Sequence, residues 1–149
     1  MTTRASLFDL KMAAGMIAVV AIAAGLWQGR TSDVEACRQA FRGLAAGAPS
    51  AQGRLDWERL TALGVDVGAT YRGLPSDQER RRYREAFVAN FSKGFQQTGA
   101  TAEQFVRWRV EERTPETVTV AADYPAKQQT LRLGVSARGK KRVQAIAWK

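Results

Sequence analysis

Hydrophobic positions along this chain fall into three regimes: an unbroken run, then recurrence every three or four residues, then alternation. The unbroken run is MAAGMIAVVAIAAGLW, residues 12–27, with Lys11 before it and Arg30 after it. A membrane-spanning helix needs about 20 mostly apolar residues. Sixteen falls short of that, with Leu10 and Gly29 able to extend it. Met12, Ile17, Val20, Ile22, Leu26 and Trp27 are its candidate anchor residues, Trp27 standing at the boundary level that tryptophan favours. An export signal cleaved after Ala21-Ile22-Ala23 is the alternative. A buried soluble helix is a third reading, and the run lacks the polar face that it would show.

The second regime begins at Val34, with Cys37, Phe41 and Leu44 at helical spacing. AAGAPSAQG (45–53) ends that helix in a small-residue loop. Asp56–Leu63 predicts a second, shorter helix with Trp57, Leu60 and Leu63 as its apolar face, and 64–75 an irregular connection. Ser76 then caps a long helix, with Glu79 three residues on as in a capping box. Along it Tyr83, Phe87, Phe91 and Phe95 repeat every four residues, and Gly99 marks the stop. Asp77, Arg81 and Glu85 are spaced for i,i+4 pairing on another face.

From Phe105 the period is two. Val106, Trp108 and Val110 alternate with charged residues, and Val118, Val120, Ala122 and Tyr124 form the next such set. Gln129, Leu131, Leu133 and Val135 follow, and a last strand runs over about 142–148. RTPET, YPAKQ and SARGKK are turn-like separators. The expected fold class is α+β: a membrane helix or signal over 1–30, then a domain over 31–149 with three helices on a curved four-stranded antiparallel sheet.

Composition narrows the chemistry. The 149 residues include no histidine and one cysteine, which removes the usual neutral-pH base, the common zinc and haem ligands, and any internal disulfide. No metal site and no cofactor are expected, and Cys37 reads as a buried thiol. Asp56, Asp66 and Asp123 are the carboxylates to consider in a cavity, and none has a partner at informative spacing. The expectation is a non-enzyme. Formal net charge is +9, and residues 31–149 carry 20 basic against 13 acidic side chains. Arg80, Arg81 and Arg84 with Lys140, Lys141 and Arg142 form a candidate basic surface. Without an aromatic stacking platform it does not point to nucleic acid, and it suits an anionic membrane surface better. Tyr83, Phe87, Phe91 and Phe95, with Trp108, Val110 and Leu131, either line an apolar ligand cavity or fill a core.

Helices followed by a curved meander resemble the cone fold named after nuclear transport factor 2. LDWERLTALG and LPSDQERRRYREAFVANFSKGF are similar to a segment of the Mla periplasmic phospholipid-shuttle family, through Leu55, Asp56, Trp57 and Leu60, then Pro75, Ser76, Gln78, Arg80, Tyr83, Phe87, Phe91 and Phe95. The likeness covers about 54–98. Behind one membrane helix, the same cone also resembles an assembly subunit of type IV secretion machines. The first resemblance implies a phospholipid carrier, and the second an anchored subunit of an envelope complex. Together with Arg4 and Lys11 ahead of the apolar run, these place the chain in a bacterial inner membrane, single-pass, with its C-terminal domain in the periplasm. A cleaved signal would leave it soluble there. The expected function is a non-catalytic accessory or scaffold subunit with membrane lipid and an envelope protein as partners; the alternative is a carrier or sensor of a phospholipid or other apolar ligand. Monomer and homo-oligomer both stay open.

Overall fold

The computed structural model describes residues 33–149. The anchor or signal expected over 12–27 lies outside them, and among the described residues no helix is long and apolar enough to cross a membrane. The fold is α+β, with a sheet of six strands rather than four. β1 (Thr61–Ala62), β2 (Val65–Asp66), β3 (Val106–Arg113), β4 (Thr117–Tyr124), β5 (Gln129–Ser136) and β6 (Val143–Trp148) lie in the order β2-β1-β6-β5-β4-β3. β3 to β6 form the expected antiparallel meander. The sheet as a whole is mixed, because β1 runs parallel to β6 with Thr61 opposite Ala145.

Alternation accounts for the packed face of the meander. Val118, Val120, Leu131, Leu133 and Val135 are all buried, as the two-residue period requires of one face. Small residues and ion pairs cover the other face. There Arg107 and Arg109 reach Asp123 at 3.0 and 3.2 Å, and Arg132 reaches Glu111 at 3.0 Å. β3 departs from the expected alternation at its start. Arg107 takes a positive φ of 55° and the pairing slips between Val106 and Arg109, so Val106 is exposed and Phe105 is buried instead. Such a bulge twists the edge strand and protects it against pairing with another chain.

Among the described residues there are three α-helices, as expected in number, with one of them out of its expected position. α1 spans 33–46 of the described residues and buries Cys37, Ala40, Phe41 and Leu44 completely. α2 (Val67–Arg72) falls where an irregular connection was expected, capped by the Asp66 side chain on the Ala69 amide (3.0 Å). α3 (Asp77–Gln97) has the expected Ser76 cap, which accepts from the Glu79 amide (3.2 Å). Its first-turn ion pair is Asp77–Arg80 (3.5 Å) rather than Asp77–Arg81.

The helix expected over Asp56–Leu63 is absent. Leu55 bridges to Val143, the Asp56 amide donates to the Val143 carbonyl (2.9 Å), and the chain then turns into β1. Trp57 and Leu60 are buried as a helical face would have them, but Ala62 is buried too and Leu63 is 53% exposed. Apolar side chains at these positions serve a turn followed by a short strand equally well. Pairing with β6 satisfies the backbone groups that a helix would have satisfied internally.

Candidate functional site

Phe41 is the hub of the core. Its ring meets Phe105 at 4.7 Å, Phe95 at 5.5 Å, Trp108 at 5.9 Å and Trp148 at 6.5 Å between centroids. These aromatics fill the space between α1 and the sheet, and Phe105 stacks on Tyr124 at 4.7 Å. Beyond them the packing opens. A cleft of about 480 Å³ lies between α3 and the ends of β4, β5 and β6, walled by Phe91, Phe95, Phe105, Tyr124 and Trp148. That volume falls within the range of about 300–1,000 Å³ usual for small-molecule sites.

α3 supplies one wall because its sequence turns an apolar edge towards the cleft. Phe95 is buried, Phe91 is half-buried, and Gly94 between the aromatics faces open space. No backbone approaches it, and the missing side chain widens the cleft. Asn90, Thr98 and Gln129 give the lining a few neutral hydrogen-bonding groups, and Lys127 carries the only charge among the described lining residues. This lining can bury an apolar chain and hold an anionic group at Lys127. It offers no acid–base pair for catalysis.

The expected cavity residues divide. Phe91 and Phe95 line this cleft, whereas Tyr83 and Phe87 line a second one of about 380 Å³ with Ala62, Leu63, Val65 and Phe91. Trp108 and Val110 are half-buried against the core, the Trp108 indole donating to the Phe105 carbonyl (3.0 Å). Leu131 is fully buried within the sheet's packed face. None of these three lines either cleft. Leu63, Phe105, Tyr124, Lys127 and Trp148 are among the lining residues that sequence patterning missed. They lie on four separate segments whose convergence only the sheet order reveals.

The expected basic surface divides as well. Arg81, Lys140 and Arg142 are exposed. Arg84 instead donates to the Tyr71 hydroxyl (2.7 Å), and Arg80 lies over the Tyr71 ring at 5.9 Å, so both pack α3 against α2. Lys141 is drawn inward by Asp33, a carboxylate only 2% exposed. The Lys141 ammonium lies 2.7 Å from Oδ1 but off hydrogen-bonding alignment, and Arg113 approaches Oδ2 at 3.3 Å. This cluster lies one turn of α1 from the Cys37 thiol, whose pKa burial raises from 9.0 to about 12. Asp33 adds to that rise and Lys141 opposes it. At neutral pH the thiol is protonated and unreactive.

The three carboxylates considered for catalysis have structural partners. Asp66 caps α2, Asp123 pairs with Arg107 and Arg109, and Asp56 accepts from Gln144 (3.3 Å). Comparison with protein-family models, with curated proteins and with solved structures finds no match for this chain.

Proposed function

We propose that this chain is a non-catalytic binding protein of the bacterial cell envelope. Residues 12–27 hold it at the inner membrane, and the domain over 33–149 lies in the periplasm and takes the apolar part of a lipid into the cleft beside α3. The observation that carries this reading is the cleft of about 480 Å³, walled by five aromatic side chains and with one cation, Lys127, in its lining. Such a lining suits a molecule with an apolar body and an anionic end. The order of helices and strands supports a cone fold of the nuclear transport factor 2 type, and the aromatic spacing of α3 supports kinship with the Mla phospholipid shuttles.

An accessory or scaffold subunit of an envelope complex is the second reading. Leu63 and Val65, 53% and 59% exposed on one hairpin, favour it, because exposed apolar side chains close together mark contact surfaces. Native mass spectrometry of the full chain released from membranes, followed by solvent extraction, tests the choice. A bound lipid that disappears in Gly94→Leu, where the new side chain enters the cleft, is the expected result. An unliganded mass that takes up no added phospholipid rejects the binding reading and leaves the subunit.

A further inference from the structure

We infer that the two apolar clefts are one groove for a single extended acyl chain, strapped across its middle by Leu63. This rests on the lipid-binding reading and adds the ligand's shape and the residue that holds it. Both clefts share Leu63, Asn90 and Phe91, so the same three residues bound each of them. Their floor is one face of α3, running from Tyr83 and Phe87 through Asn90 and Phe91 to Gly94 and Thr98 in steps of three and four. At 1.5 Å per residue that face is about 22 Å long. The hydrocarbon of one membrane leaflet is about 15 Å deep, so the groove has room for a full acyl chain. A partner helix, about 10–12 Å across with its side chains, needs a wider trough than clefts of about 480 and 380 Å³ provide over that length.

Leu63 is out of place by local rules. Thr61 pairs with Asp66 and Ala62 with Val65, leaving Leu63-Gly64 as a two-residue hairpin turn. Both have positive φ, 51° and 82°, as a type I′ turn requires. Asparagine, aspartate or glycine suits the first of these positions, and leucine is strained there. It is also 53% exposed, so the strain brings no burial in the free domain. Contact with a chain lying in the groove covers this side chain. Lys127 lines the larger cleft only, which sets the polarity: the anionic end lies at Lys127 and the tail passes beneath Leu63 towards Phe87.

The test uses the full chain in digitonin, whose rigid steroid does not imitate an acyl chain. It is loaded with palmitic or octanoic acid carrying a diazirine at the terminal carbon, and the cross-links are mapped by mass spectrometry. Palmitic acid should mark Ala86 and Phe87, and octanoic acid Phe91 and Gly94. Ala86→Trp, at an exposed helical site, should abolish the palmitic-acid mark and leave that of octanoic acid. Leu63→Asn should raise the melting temperature by relieving the turn, yet weaken palmitic-acid binding about tenfold through the lost apolar contact. Cross-links at the same residues with both acids, or palmitic-acid binding indifferent to Ala86→Trp and Leu63→Asn, overturn the single groove and leave lipid binding intact. Absence of any cross-link above the level seen with Gly94→Leu overturns both.

Discussion

α1 and α3 carry the same kind of apolar stripe in sequence and put it to different use. On α1 the residues Cys37, Ala40, Phe41 and Leu44 have no exposed surface at all. On α3 the stripe of Tyr83, Phe87 and Phe91 is only half-buried, and full burial is reached at Val88, Ser92 and Phe95. α1 is enclosed because the aromatic cluster closes around Phe41 and the Asp33 cluster ties its first turn to Arg113 and Lys141. α3 presents one edge to a hairpin too short to cover it, since β1 and β2 have two residues each. Periodicity therefore reports that a helix has an apolar face, while the size of the opposing element decides whether that face becomes core or site.

The sharpest way to break this contrast is to truncate one ring on each helix. Phe41→Ala should cost about 3–5 kcal/mol in denaturant unfolding. Phe91→Ala, half-exposed at the cleft, should cost about 1–2 kcal/mol. Equal penalties would mean that the cleft is part of the core. At the closed end, Asp33→Asn should cost about 1–3 kcal/mol, less than a fully buried pair because Arg113 and Lys141 keep contact with water. Stability measured against salt should separate this partly screened cluster from the apolar core.

The cap of α3 comes next in size. Ser76→Ala should destabilise by about 0.5–2 kcal/mol, and Arg81→Gln, at an exposed site, by no more than about 0.5 kcal/mol. Losses of the same size would place Arg81 in packing like that of Arg84. The thiol of α1 gives a pH test. The unfolded thiol ionises near pH 9.0 and the folded one near pH 12, so its contribution is whole below pH 9 and is lost as pH rises through that window. Cys37→Ser should flatten this alkaline decline, and Cys37 in the native protein should resist alkylation at neutral pH.

Much of this arrangement was legible in the sequence, and the failures have physical causes. β4 and β5 follow alternation because one face of each carries the large apolar side chains, although Ala121 and Gly134, small residues on the opposite face, are buried too. Ser76 and the helix behind it were legible because capping is local chemistry. Asp56–Leu63 misled because Trp57, Leu60 and Leu63 fit a helical face, whereas the competing partner, β6, lies more than eighty residues away. The turn at Leu63-Gly64 lacks the asparagine that signals a hairpin, and that same departure makes it informative once its conformation is known. Two of the five aromatic walls of the cleft, Phe91 and Phe95, were read from α3 alone. Phe105, Lys127 and Trp148 join it only through tertiary closure, which no local pattern encodes.

Closure also sets an order of events. β6 is the latest strand in the sequence, yet it sits inside the sheet between β1 and β5. Thr61 must find Ala145 across an intervening loop of more than eighty residues, an entropic cost of about 4 kcal/mol that no local contact offsets in advance. Until β6 has emerged from the ribosome, β1 and β2 have no strand but each other to pair with, and the meander lacks a strand beside β5. A nascent chain in that condition exposes unpaired backbone and apolar surface. That is the form a holding chaperone can grip. The domain therefore matures late and all at once.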